Sequence, residues 1–148
     1  MNTLSEIDAA YVAGIVDGEG TITLTKTHRG ENRRPVVSIS STELPLLSYV
    51  RSVVGAGRIT GKMRTREHHS PSFAYCITSR QALHLLAQIA PFLRTYKLQR
   101  ASMLLQEYVR LTPRNGRYTA EQLAARAEFE VRFFAISTRA GTTRRIAR

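Results

Sequence analysis

Two carboxylates, Asp17 and Glu19, stand among glycines at the end of the apolar stretch YVAGIVDGEG, Tyr11 to Gly20. The run before them has helical spacing, so both acids fall at the negative end of a helix dipole, where acidic groups are unfavourable without a compensating cation. Carboxylate and backbone carbonyl oxygens form a hard donor set suited to Mg²⁺, which keeps several waters when bound. A metal-bound water can attack a phosphodiester. On this reading the carboxylates hold the metal together with a backbone carbonyl such as that of Gly18. The simpler alternative gives Asp17 a hydrogen bond near the helix end and leaves Glu19 a solvated turn acid. The residue types allow both.

Ala10, Ala13, Gly14 and Asp17 share a stripe of this helix. Three of the four have almost no side chain, so another backbone could approach closely. Tyr11, Val12, Ile15 and Val16 fall elsewhere and are expected to supply core. If the partner is the same helix of a second copy, the interface is two-fold. It would then gather two sets of Asp17 and Glu19 at its centre, which strengthens the need for a cation.

The elements that must position these groups are legible in the spacing. Ser5 with Asp8 predicts a helix start and Gly18 with Gly20 a stop, the helix running to about Asp17. TITLTK alternates, with Ile22 and Leu24 on one side and Thr21, Thr23 and Thr25 on the other. After the polar loop HRGENRR, RPVVSISS predicts a second strand with Val37 and Ile39 inward and Ser38 and Ser40 outward. A helix over Glu43–Val54 follows, then a second hairpin from RITGKMRTRE and PSFAYCITS. Helices are expected over Arg80–Ala90, Lys97–Leu111 and Thr119–Ser137. The order is an α+β fold, two helix-plus-hairpin blocks on one plan, giving a four-stranded antiparallel sheet with helices on one face. One domain is expected over residues 1–137, with 138–148 a basic tail.

The 148 residues carry 22 Lys and Arg against 11 Asp and Glu, a net charge of +11, which favours a polyanionic partner. Between Gly55 and Ala120 the only acids are Glu67 and Glu107, against eleven basic residues. The face of the sheet turned from the core would carry Thr21, Thr23, Thr25, Arg34, Ser38, Ser40, Arg58, Thr60, Lys62, Arg64, Arg66, Cys76 and Thr78, with Arg29 and Arg33 in the first hairpin loop. A merely solvated face would mix signs. Hydroxyls and cations without acids suit phosphates and base edges of double-stranded DNA. The most apolar run, ALHLLAQIAPFL, is short and broken by Pro91, so a membrane partner is not expected. The lone Cys76 excludes an internal disulfide, and the N-terminus lacks a secretory layout, so an intracellular setting, cytoplasmic or organellar matrix, is expected. GAGRITG follows a helix and enters a strand, the reverse of a dinucleotide loop. His68 and His69 at a hairpin tip do not make a structural zinc site with one cysteine. His84 among leucines reads as a partly buried, satisfied histidine.

VAGIVDGEG, Val12 to Gly20, resembles the LAGLIDADG motif of homing endonucleases. Ala13, Gly14, Asp17 and Gly20 match by letter, and Val12, Ile15, Val16, Gly18 and Glu19 are conservative replacements. One copy is present, as in the single-motif class that works as homodimers. The resemblance implies an αββαββα core whose sheet lies in the major groove, motif helices forming the dimer interface, and cleavage of both strands of a long, roughly palindromic DNA site with short 3′ overhangs. It implies that Glu19 binds catalytic divalent metal, Mg²⁺, with Mn²⁺ able to substitute and Ca²⁺ bound without supporting cleavage. It gives Asp17 a mainly structural role and places in PFLRTYKLQRA a cation near the scissile phosphate, Lys97, with Arg94 and Arg100 as neighbours. It implies a water-positioning polar residue at the end of the second strand, matched by Ser41 with Ser40 beside it, where the family often has Gln. Alternatives on the same scaffold are an intron-RNA maturase and a DNA-binding protein that does not cut; a further one is an interaction protein whose charge is incidental.

Overall fold

The computed structural model describes residues 1–62 and 71–138. Met63, Arg64, Arg66, the hairpin tip around His68 and His69, and the tail after Thr138 lie outside the described residues, as does the side chain of Lys62.

The chain begins with α1 (Glu6–Glu19), whose start is fixed by the Ser5 side chain accepting from the Asp8 amide. Strands β1 (Gly20–Thr25) and β2 (Arg34–Ser41) follow. Helix α2 (Leu44–Val54) ends at Gly55, a left-handed cap at φ 71°. Strands β3 (Arg58–Lys62) and β4 (Ser72–Thr78) form the second hairpin. Then come α3 (Ser79–Ile89), a 3₁₀ turn at Ala90–Phe92, α4 (Lys97–Met103) widening into a π turn over Leu104–Tyr108, and α5 (Ala120–Ala135). Thr119 and Gln122 close a reciprocal capping box at the start of α5.

The sheet is antiparallel throughout, in the order β1-β2-β4-β3. The two hairpins therefore meet at their second strands, with Val37 opposite Ile77 and Ile39 opposite Tyr75. Alternation puts Ile22, Leu24, Val37, Ile39, Tyr75 and Ile77 on one buried face. The helices cover that face: Val12 and Val16 of α1, Leu47 and Val50 of α2, Leu85, Leu86 and Ile89 of α3, Ala101 of α4, and Phe129 and Phe133 of α5 join the strand residues in one core. Each fully buried aliphatic side chain contributes on the order of 1.5–3 kcal/mol. Two polar contacts brace this layer. The Tyr49 hydroxyl donates to Asp8 Oδ1 at 2.6 Å, tying α2 to α1, and that bond pushes the phenol up to about 12. Buried Tyr75 donates to the Ala56 carbonyl at 2.8 Å.

Helix α1 runs through Gly18 to Glu19, two residues past the expected stop, and Gly20 opens β1 directly with extended backbone. A Cβ on Gly20 would lie 2.7 Å from Val16 Cα and 2.9 Å from its carbonyl oxygen, so glycine is needed there for closeness. The helix thus passes into a strand without a loop, and this fixes Glu19 at one end of the sheet.

Candidate functional site

The end of α1 is held from below by the segment between the 3₁₀ turn and α4. Asp17 Oδ2 accepts the Arg94 amide at 2.8 Å, and its Oδ1 accepts the Thr95 amide at 3.2 Å and the Thr95 hydroxyl at 2.5 Å. Lys97 is buried at 8% exposure, and its Nζ donates to the carbonyls of Val16 and Asp17, each at 2.9 Å. A lysine cation therefore satisfies the last carbonyls of α1 and opposes its negative dipole end. Burial pulls the Lys97 ammonium below the ordinary lysine value, while Asp17 and then Glu19 push it back up.

Glu19 differs from Asp17 in kind. It is exposed, and its carboxylate accepts no hydrogen bond or ion pair among the described residues. The two acids at the helix end are thus separated by the fold: Asp17 is consumed by the turn, and Glu19 faces outward beside the Lys97-capped terminus. No group of three or more His, Cys, Asp or Glu side chains among the described residues could enclose a metal. Glu19 supplies a hard carboxylate donor of the right chemistry for a divalent cation, with no second carboxylate free beside it among the described residues.

Strand register orders the outer face into rows. Thr21, Ser38, Cys76 and Arg58 lie side by side across the four strands, and Ser40, Ala74 and Thr60 form the next row toward the Glu19 end. Thr23, Val36 and Thr78 form a row on the other side, beyond which Thr25 pairs with Arg34. Among the described residues this face carries hydroxyls and two arginines, Arg34 and Arg58, with Val36 and Ala74 as apolar interruptions. Arg29 is exposed in the β1–β2 loop. Lys62 pairs through its backbone with Ser72.

Four expected site residues sit differently. Arg33 is off the face: its Nε lies 3.6 Å from Glu130 and its guanidinium covers the Phe134 ring of α5. Its strand parity is that of Pro35, on the core side. Ser41 shares the core-side parity of Ile39, and its hydroxyl accepts the Glu43 amide at 3.0 Å, closing the turn into α2. Ser40 is the member of the pair on the outer face. Ala13 is fully buried within the protomer. Asp17, tied to Arg94 and Thr95, is not part of an open helix stripe.

The stripe of α1 left open is Ile7, Ala10, Tyr11, Gly14 and Gly18. Of the small residues expected along one stripe, Ala10 and Gly14 are exposed, whereas the core turned the helix so that Ala13 points inward and Tyr11 outward. A Cβ built on Gly14 or Gly18 meets nothing within 4 Å.

Arg100 is structural: it donates to the Ile136 carbonyl at 2.8 Å and to the Ile22 carbonyl at 2.9 Å, and stacks against Phe133 and Tyr96. Arg94 is exposed, its amide engaged by Asp17. Buried Arg126 was not foreseen. It bonds Thr112, Tyr118 and the Arg33 carbonyl, fastening α5 to the first hairpin loop. Its position in register with Phe129 and Phe133 was the only signal for it, and that register would have suggested an apolar residue. His84 is exposed, its ring 3.4 Å from the Gln88 amide nitrogen.

No protein-family model matches the chain. Solved structures do. I-CvuI, a homing endonuclease crystallised with its target in the presence of calcium, superposes with a TM-score of 0.71 at 18% identity, over 90% of this chain and 83% of that one. The chain has the LAGLIDADG homing-endonuclease fold. The archaeal intron-encoded homing endonuclease I-Vdi141I, complexed with DNA, matches with a TM-score of 0.60 at 17% identity, over 89% of this chain and 85% of that one. The LAGLIDADG homing endonuclease I-GzeII, also in complex with a DNA target, matches with a TM-score of 0.63 at 15% identity, over 86% of this chain and 43% of that one. The segment that resembles the motif, Val12 to Gly20, is the later part of α1 with the first residue of β1, so Glu19 ends the helix and the outer sheet face begins at Thr21.

Proposed function

We propose that this chain is one protomer of a homodimeric, site-specific DNA endonuclease that hydrolyses phosphodiesters with divalent metal. The observation that carries the reading is the division of labour at the end of α1. Asp17 is fully engaged in holding the fold, while Glu19 stands free at the same helix end, beside a buried lysine and at one edge of a basic sheet face.

The open stripe of Ala10, Gly14 and Gly18 supports a two-fold contact between α1 helices, which brings two Glu19 carboxylates together. The coverage pattern is consistent with this, since the chain spans most of I-CvuI but less than half of I-GzeII. Glu19 and the Gly18 carbonyl would hold Mg²⁺, or Mn²⁺ in its place, with DNA phosphates and the second copy completing the ligand set. When bound, the metal supplies a water of lowered pKa and neutralises developing charge on phosphate. Glu19 fixes that centre at the end of the sheet. Lys97 keeps two of its three N–H bonds on the helix carbonyls, which leaves one to reach a phosphate oxygen. We assign the ordering of water to the Ser40 and Ser41 pair, Ser40 being on the outer face. The rows from Thr21 to Arg58 then read a long duplex, and the two-fold axis makes the target roughly palindromic, cut with short 3′ overhangs.

The test is incubation of the purified protein with a randomised duplex library and Mg²⁺. A discrete set of cleaved sequences is expected, lost in Glu19→Gln and without cleavage in Ca²⁺. No cleavage of any sequence, with duplex bound salt-dependently and Glu19→Gln behaving as wild type, would refute the nuclease reading in favour of a DNA-binding protein. Tighter binding of structured intron RNA than of duplex would favour a maturase.

A further inference from the structure

A notch of about 320 Å³ lies at the end of the sheet opposite Glu19, where β2 and β3 begin and β4 ends. It is lined by Arg34, Arg58, Cys76, Thr78 and Gln81. Its volume is far above the roughly 30 Å³ share of one water. We propose that this notch is a phosphate-binding site, and that Gln81, at the start of α3, is one of its contacts. For the source of the phosphate, a DNA backbone, the inference rests on the function proposed above.

Three independent features converge there. Arg34 Nε is buried and has no hydrogen-bond partner among the described residues. Buried polar atoms without partners are rare, and one on a guanidinium calls for an anion or acceptor. Second, the two arginines share the notch without a counter-charge: no acid lines it, and neither Arg34 nor Arg58 makes an ion pair among the described residues. Two cations left together in a concave site repel unless an anion lies between them.

Third, the notch opens on the N-terminus of an eleven-residue helix that lacks the usual satisfaction. Thr78 is the N-cap but makes no side-chain capping bond, and the first turn holds no acid. The free amides there carry the positive end of the dipole. Ser79 adopts φ 57°, the one non-glycine residue in the left-handed region among the described residues. That strained step lets α3 start directly off β4 and sets Thr78 and Gln81 on the same notch. Strain of this kind costs on the order of what a single hydrogen bond contributes and is retained where the placement is used.

A phosphate suits all three features: it offers several acceptor oxygens to two guanidiniums, the Gln81 amide and helix amides together. A guanine edge would need the arginines but not the helix end.

The experiment measures binding of labelled duplexes of several unrelated sequences to wild type, Arg34→Ala, Gln81→Glu and Arg110→Ala across a salt series. The expected result is that Arg34→Ala and Gln81→Glu weaken binding by a common factor on every sequence. Arg34→Ala should also lower the slope of log K against log salt by about 0.9, the value of one phosphate neutralised by a cation, and Gln81→Glu should lower it through the added carboxylate, while Arg110→Ala changes neither. Wild-type slopes in both notch variants overturn the site; losses confined to certain sequences overturn it in favour of a base contact. A second arm follows thermal unfolding with pyrophosphate added. If wild type binds no duplex, the DNA reading fails. The notch then stands if pyrophosphate raises the unfolding temperature of wild type but not of Gln81→Glu, and falls if it raises neither.

Discussion

Lys97→Met tests whether the end of α1 is organised as described. The substitution keeps the length of the buried stem and removes the ammonium, leaving the Val16 and Asp17 carbonyls without the donor that sits 2.9 Å from each. A hydrogen bond to a charged group is worth about 1.5–3 kcal/mol, so two carry about 3–6 kcal/mol gross. Recovered lysine desolvation offsets part of this, and a net loss of about 2–4 kcal/mol is expected. Urea unfolding at neutral pH should show the midpoint falling by roughly 1–2 M. The pH dependence gives a sharper check. Burial depresses the folded-state pKa of Lys97, so between that value and the ordinary lysine value the unfolded chain holds more protons than the native one. Stability contributed through this group therefore rises with pH across that window. The difference in stability between wild type and Lys97→Met should widen as pH climbs toward the ordinary lysine range. A variant that loses less than about 1 kcal/mol, with a pH profile parallel to wild type, would refute the capping role. Under the nuclease reading, cleavage should fall further than DNA affinity at a temperature where the variant is folded.

Glu19→Gln should leave unfolding within about 0.5 kcal/mol of wild type, because the carboxylate makes no hydrogen bond or ion pair among the described residues; under the nuclease reading it should abolish metal-dependent cleavage, with titration calorimetry using Mg²⁺ or Ca²⁺ and duplex as the check on the metal. Gly14→Leu should not destabilise the protomer, since the space is open and leucine is favoured over glycine in helices by somewhat under 1 kcal/mol; under the proposed two-fold contact it should shift the sedimenting species from dimer to monomer. Ala13→Leu should instead cost the protomer about 1–3 kcal/mol by overpacking, read in denaturant melts. Arg132 donates to both Glu107 oxygens, at 3.1 and 2.8 Å, and this bond holds the Glu107 carboxyl below the ordinary carboxylate value. Its stabilisation is complete above the ordinary value and is lost as pH falls through the lowered one, so acid destabilisation should be shallower in Arg132→Ala.

Much of this architecture is local and could be read directly. Alternation at Thr21–Thr25 and Pro35–Ser40 fixes which side of each strand is buried, because side chains repeat every second residue. The Ser5 and Thr119 caps mark their helix starts because their partners lie three residues away. The acid-free basic face follows from composition and strand parity together. Other features depend on groups far apart in the chain. Asp17 meets Thr95 across 78 positions and Lys97 meets Val16 across 81. No periodicity announces such pairs, so the sequence named a structural hydrogen bond for Asp17 beside a place in the dimer stripe without naming its partners. The phase of α1 was decided by what the sheet and α3 could accept beside it. That is why Ala13 is core and Gly14 is open, although both are small. Arg33 and Arg34 adjoin in sequence, yet parity and the reach of Glu130 send one to α5 and the other to the unpaired notch. Element identity is set by short-range geometry and polarity, so the sequence by itself determined the elements and the charge of their faces. Which acid is spent on the fold and which is free for chemistry was decided only by tertiary packing, where distant donors choose their partners.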